Sequence, residues 1–418
     1  MNEQKQIKRQ ITKFGFYGFF KDLRFFDPVL LIFLHSFGIS AFQIGLLYAI
    51  RETIIYIFEI PSGVFADQYG KKTELMICFM FYISSFVVFA FGTNFYWFAL
   101  AMTLFGLGEA FRSGTHKSMI MQYLDIHNLS SEKSKTYGKT RSYSMIGSML
   151  SSLFTIYLVI ALPELKFLFL LAIIPYLLDL ILIATYPSEL NDRKHTTFKF
   201  KEFLSENKKA LTYAFSHKKI RNVLIRSSSY SAVFKILKDY VQLILISMPL
   251  TLLLFNQYSS QDQIEIYSSI MYAFIFLISA FTTRFAYLLL KYKDHDQLTR
   301  FTWVFTGFAT LLIGFFINQL IIVFVGFVLI YMFLNIRKPL IVEVMGDYSD
   351  KDKRASILSI DSQLTSLLIV ICAPLLGLIA DHASYQVMFI IVGAIMVLTY
   401  IVSLFNPNRM KFKTTNNQ

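Results

Sequence analysis

The chain has 418 residues, 55% hydrophobic and only 16% charged, with a formal net charge of +13. That balance excludes a soluble globular domain, which needs a polar surface to stay dissolved. Apolar runs of about 20 residues, the length that crosses a roughly 30 Å hydrocarbon core, recur along the chain without the period-2 alternation of a barrel strand, so helices are expected.

In chain order, residues 1–13 form a basic tail. An apolar run follows without a small-residue cleavage site, so the tail is expected to be cytoplasmic and the first helix retained. Spans are predicted over 14–36, 43–66, 75–92, 96–120, 142–162 and 167–186. A polar stretch over 187–221 separates them from spans over 223–255, 264–290, 301–317, 320–343, 355–380 and 385–405. The expected domains are a tail 1–13, a six-helix bundle 14–186, a central loop 187–221, a second bundle 222–405 and a tail 406–418. A piece from Lys199 to Phe215 has the pattern of a surface-lying amphipathic helix or a solvated linker. Cys78 and Cys372 read as packed thiols, with no disulfide framework or zinc spacing.

The basic residues divide between two sides. Alternating the loops puts Lys5, Lys8, Lys71, Lys72, Lys133, Lys135 and the central segment's bases on one side, with Lys291, Lys293, Lys351, Lys353 and Arg409. Lys166 stands alone on the other. This positive-inside pattern predicts cytoplasmic termini in a plasma membrane. It accounts for the basic charge through contact with anionic lipid headgroups and removes the need for a nucleic-acid partner.

Charge also lies within the spans. Span 1 holds Lys21, Asp22, Arg24 and Asp27, and span 2 holds Arg51, Glu52 and Glu59. Span 4 holds Glu109 and Arg112, span 7 holds Lys235, Lys238 and Asp239, and span 10 holds Arg337. Spans 3, 9 and 12 have no interior charge, and span 6 has only Asp179. A central charge facing lipid costs roughly 2.5–3.5 kcal/mol or more. These groups must therefore face one another or water, as structural ion pairs or as a polar cavity. At about 100° per residue, Arg51, Glu52 and Glu59 share one helix face, as do Lys235, Lys238 and Asp239. Asp27, Glu52, Glu59, Glu109 and Asp239 are the candidates to carry a proton. Lys21, Arg24, Arg112, Lys235 and Lys238 are the candidates to bind an anionic group or to pair with those acids.

The two halves are weakly similar: Phe20 to Asp27 in span 1 resembles Phe234 to Tyr240 in span 7. Between spans 2 and 3 stands Gly63-Val64-Phe65-Ala66-Asp67-Gln68-Tyr69-Gly70-Lys71-Lys72. Physically, Gly63 permits close helix approach and Gly70 a tight turn. Asp67 places an anion at a helix boundary, and Lys71 and Lys72 hold the loop at the membrane surface.

In that place the segment resembles the G-x-x-x-D-x-x-G-[RK]-[RK] signature of the major facilitator superfamily. Pro374-Leu375-Leu376-Gly377 through Asp381 resembles the end of helix 11 of that family. Gly108 to Lys117 is similar to a recurrent signature of one group of bacterial members. The resemblance implies an all-α polytopic membrane protein with twelve helices in two pseudo-symmetric bundles. It also implies alternating access about a central cavity, with helices 3, 6, 9 and 12 outside it, and a role for Asp67 in locking the cytoplasmic side against the start of helix 11. Span 5 lacks the Gly-Pro-rich motif of many drug/proton antiporters and has only Gly147 in its middle, which argues against drug export.

No nucleotide loop, nucleophile elbow or HExxH motif occurs, so neither enzyme activity nor a cofactor or metal is expected. The reading is a monomeric, proton-coupled transporter of a small solute. The alternatives are a facilitator or flippase of an amphipathic lipid-like solute, and a non-transporting receptor or scaffold on the same fold.

Overall fold

The structure is a computed structural model that describes residues 2–191, 211–248, 255–286, 288–289, 294–349 and 354–405. The expected amphipathic piece therefore falls mostly outside the described residues. So do the C-terminal tail 406–418 and the basic residues Lys291, Lys293, Lys351 and Lys353.

The first half comprises α1 (Asn2–Lys21), α2 (Leu30–Ser36), α3 (Ala41–Tyr69), α4 (Lys71–Phe91), α5 (Phe95–Arg112), α6 (Thr115–Ile126), α7 (Lys133–Ala161) and α8 (Lys166–Ala184). The second comprises α9 (Lys218–Leu237), α10 (Val241–Ser247), α11 (Ser260–Ala286), α12 (His295–Phe315), α13 (Leu320–Tyr348), α14 (Arg354–His382) and α15 (Tyr385–Phe405). Among the described residues, nine helices are long and apolar enough to cross a membrane. The ordered ends carry ordinary caps. Ser40 and Gln43 form a capping box at α3, Asn94 accepts from the amides of Tyr96 and Trp97, and Asp294 accepts from that of Gln297.

Three predicted spans are interrupted. Span 1 is two helices separated by an irregular stretch and a 3₁₀ turn over Asp27–Val29. The cause is local: Pro28 has no amide to donate and disfavours helix in the residue before it. Span 7 breaks at the matching place, between Leu237 and Val241. Span 4 breaks at Ser113 and Gly114, where Gly114 takes φ +75°.

Irregular backbone at membrane depth survives only if its polar groups are satisfied by protein. In span 1 five of these groups find a partner from elsewhere. Tyr176 donates to the Lys21 carbonyl (2.9 Å) and Thr155 to that of Phe25 (2.8 Å). Ser268 donates to the Pro28 carbonyl (2.5 Å). Buried Gln242 accepts from the Leu31 amide (2.7 Å) and donates to the Asp27 carbonyl (3.0 Å) and the Tyr272 hydroxyl (2.9 Å). Thr155→Val keeps the shape and removes one of these donors. It is expected to lower stability by about 1 kcal/mol, read as a lower unfolding midpoint in detergent.

The motif around Asp67 closes the turn between α3 and α4. Gly70 adopts φ +94°, and a Cβ there would lie 2.2 Å from the Asn191 side-chain oxygen. That oxygen in turn accepts from the Lys72 amide (3.1 Å). Lys71 donates to Gln122 (2.8 Å), and Lys72 to the carbonyls of Ala184 (2.6 Å) and Tyr186 (3.0 Å), so the two bases hold the first half together. The close helix approach expected at Gly63 is not present: a Cβ added there would meet nothing within 4 Å. Asp67 is exposed and has no hydrogen bond or ion pair among the described residues, so the implied lock against the start of α14 is not seen among them.

The opposite end of α3 is tightly docked. Both carboxylate oxygens of Asp381, on α14, accept from the first amides of α3, at Ala41 (2.9 Å) and Phe42 (2.8 Å). Gly45 and Gly377 let the two backbones touch here. The two helices are thus docked on the side away from the basic loops, whereas toward the basic loops Gly63 has open space beside it and Asp67 is exposed.

Candidate functional site

The interruptions in spans 1 and 7 face each other across a central cavity of about 250 Å³. Arg24, Asp27, Tyr48, Arg51, Lys238, Asp239, Tyr272 and Tyr331 line its polar part, and Phe26, Leu30, Phe89, Met102, Phe105 and Phe276 line its apolar part. Both halves contribute, so the cavity lies at their interface.

Of the residues predicted from sequence, Arg24, Asp27, Arg51, Lys238 and Asp239 line the cavity. Behind them sit their partners. Glu109 is gripped by Arg24 (3.3 Å) and Arg112 (2.5 Å), and the Tyr82 hydroxyl donates to it (2.7 Å). Arg24 also donates to Tyr176 (2.8 Å). Glu52, 2% exposed, accepts from Arg51 (3.1 Å), Lys235 (3.4 Å) and Ser366 (2.8 Å), which ties α3 to α9 and α14. Asp239 accepts from Lys238 (2.5 Å), Tyr48 (2.9 Å) and Tyr272 (2.7 Å). Lys21 pairs with its neighbour Asp22. Glu59 lies nearer the basic side, where the Ser113 hydroxyl donates to it (3.2 Å).

Arg337 is placed elsewhere. It is buried among α9, α12 and α13, where it donates to the carbonyls of Thr299 (2.5 Å) and Arg226 (3.2 Å) and to the Thr302 hydroxyl (3.2 Å). Its guanidinium lies 4.4 Å from the centre of the Tyr230 ring. With its donors taken by backbone it ties helices together, and it is not among the cavity-lining residues.

Sequence reasoning passed over Tyr48, Tyr272 and Ser366, which bond the carboxylates, and Gln242, which bonds the backbone of the break. A hydroxyl or amide inside an apolar span is the only signal they carry. It also missed the pairing of Arg226 and Arg300 with Asp296. The predicted span 9 began at 301, whereas α12 starts at His295.

The arrangement has a chemical asymmetry. The cavity's Arg24, Arg51 and Lys238 each hold a carboxylate. The Asp27 carboxylate alone among the lining acids has no hydrogen bond or ion pair among the described residues. It is a bare acceptor facing a space large enough for a small solute.

The same architecture occurs in solved transporters. A POT family transporter in complex with 5-aminolevulinic acid superposes with a TM-score of 0.75 at 12% identity, covering 95% of each chain. The nucleoside transporter NupG superposes at 0.75 and 12%, over 96% of this chain and 99% of that one. The human organic anion transporter MFSD10 gives 0.63 and 16%, over 94% and 99%. At these identities the likeness is one of fold. In sequence, the chain is 27% identical over 221 residues to the uncharacterised MFS-type transporter YxaM of Bacillus subtilis (strain 168). The match spans 52% of this chain and about half, 53%, of that relative. The Major Facilitator Superfamily profile matches residues 16–333 and 240–417. Helices without strands among the described residues, a cavity between two halves and a profile match along nearly the whole chain agree: this is a multi-pass membrane protein that belongs to the Major Facilitator Superfamily.

Proposed function

We propose that the protein is a proton-coupled secondary transporter that carries a small polar solute by alternating access between its halves, 14–186 and 222–405. The observation that carries this reading is the bare Asp27 carboxylate in a cavity whose cations are already paired. Such a group takes up and releases a proton, or receives a cationic group of the solute, without first breaking an ion pair. The docked α3–α14 end, with Asp67 exposed toward the basic side, corresponds to one state of the cycle. In the proposed topology both termini are cytoplasmic in a plasma membrane, so this state opens inward. Solved relatives of the fold bind 5-aminolevulinic acid or carry nucleosides and organic anions. Small polar metabolites are therefore the class to test.

Amino acids, short peptides, nucleosides and organic anions are screened by thermal shift on purified protein, and a stabilising solute is taken into proteoliposomes. An imposed pH gradient is expected to drive its accumulation. Asp27→Asn is expected to retain solute exchange at equal pH and to lose at least tenfold in gradient-driven accumulation. Equal initial rates with and without the gradient, and no proton movement, would leave a facilitator or flippase. Stabilisation without any transport would leave a receptor.

A further inference from the structure

A groove runs along the second half between α9, α12, α14 and α15, away from the central cavity. It has two compartments that share Ser229, Trp303 and Thr399. The compartment toward the basic side measures about 640 Å³ and is lined by Lys218, Lys219, Arg226 and Arg300. The other measures about 410 Å³ and is walled by apolar side chains that include Leu375, Ile391 and Ile395. Leu375 and Ile395 are more than half exposed, so this compartment opens toward lipid.

The charges do not cancel. Asp296, the acid of the groove, is paired with both Arg226 and Arg300, which leaves one positive charge over. Lys218 and Lys219 have no carboxylate partner among the described residues, and Lys219 reaches only the Tyr348 ring, 5.8 Å from its centre. At the border, the Trp303 indole N–H donates to the Met396 carbonyl (2.8 Å) and the Thr399 hydroxyl (3.2 Å). That locks the ring at the level where a polar compartment becomes an apolar one, a position typical of an interfacial aromatic.

We propose that this groove holds an anionic phospholipid, with its phosphate among Lys218, Lys219 and Arg300 and an acyl chain past Trp303 against Leu375 and Ile395. A soluble anion would fill the basic compartment and leave the apolar one empty, and a zwitterionic lipid would leave the surplus positive charge unmatched. The assignment to the inner leaflet rests on the proposed orientation, whereas binding itself does not. The occupant lies against α9, the helix that carries Lys235 to Glu52 and ends at Lys238 of the cavity, so it would be coupled to any movement of that helix.

The test is a titration of purified full-length protein with phosphatidylglycerol, phosphatidylcholine and glycerol phosphate, with bound lipid counted by native mass spectrometry. Each basic side chain near a membrane surface is worth roughly fivefold in affinity. Lys219→Gln with Arg300→Gln is therefore expected to weaken phosphatidylglycerol by about 25-fold and to leave Asp296 paired with Arg226. Lys135→Gln with Lys139→Gln removes the same charge from the other half and is expected to leave the affinity unchanged. Equal affinity for the two lipids, equal weakening by both double variants, or glycerol phosphate binding as tightly as the lipid would each overturn the proposal. Orientation is read separately, from a Ser403→Cys variant lacking Cys78 and Cys372. Labelling by an impermeant maleimide from outside the cell would refute the inner leaflet while leaving the lipid site standing.

Discussion

Glu109→Gln is expected to destabilise the protein by about 3–5 kcal/mol, the usual result of removing one member of a buried ionic group. The carboxylate sits between Arg24 and Arg112, and the Tyr82 hydroxyl donates to it. Its amide replacement leaves two guanidinium groups, 16% and 31% exposed, without the carboxylate that stands between them. The loss exceeds that of an ordinary surface ion pair, worth about 0–1 kcal/mol, because little water reaches these cations. Thermal unfolding in detergent is the measurement. Glu59→Gln is the control, since Glu59 is half-buried and, among the described residues, bonded only by Ser113. A Glu109→Gln protein that unfolds at the temperature of the control would show that the cluster is solvated and contributes little. Restoration of stability by adding Arg112→Gln would identify the unmatched charge as the cause.

The second large effect is expected at the α3–α14 contact. A Cβ on Gly377 would lie 2.2 Å from the Ala41 carbonyl oxygen, and one on Gly45 would lie 2.4 Å from that of Ala373. Both obstacles are backbone, so no side chain can swing aside. The helices must separate by about an ångström, and separation also breaks the Asp381 cap on the Ala41 and Phe42 amides. Gly45→Ala with Gly377→Ala is therefore expected to shift the protein away from the state described here by about tenfold or more, a difference of about 1.4 kcal/mol. Labelling of a Phe42→Cys probe by an impermeant maleimide measures the shift, in a protein lacking Cys78 and Cys372. Accumulation of solute is expected to fall in parallel, because a carrier that cannot close this end leaks or stalls. Unchanged labelling together with wild-type transport would show that the glycines are merely tolerated.

The helical fold and its family were legible in the sequence because both follow from simple constraints. Long apolar runs need only be counted, and the Asp67 segment is short and contiguous. The interior charges were legible for an energetic reason: Arg24, Asp27 and Asp239 cannot face lipid. Partners were not. Glu52 gains Ser366 across an interval of more than three hundred residues, and nothing in either neighbourhood announces it. Arg337 looked like its fellow charges, yet its donors are spent on carbonyls, whose position only a folded chain defines. The break in span 1 was written in Pro28, but an apolar average hides one proline. Gly45 looks ordinary until a second backbone is laid beside it.

Gln242 has a consequence for motion. Its amide bridges the Leu31 amide, the Asp27 carbonyl and the Tyr272 hydroxyl, so one side chain of the second half completes the backbone of the first. Any rearrangement that carried α10 away from α2 would strand polar groups at the depth where water cannot replace the lost bonds. In the proposed cycle the halves are therefore expected to tilt about this junction and not to slide past it. Under the proposed alternating access, Gln242 would act as the fulcrum of a seesaw, with the gaps on either side of it opening and closing at the expense of each other.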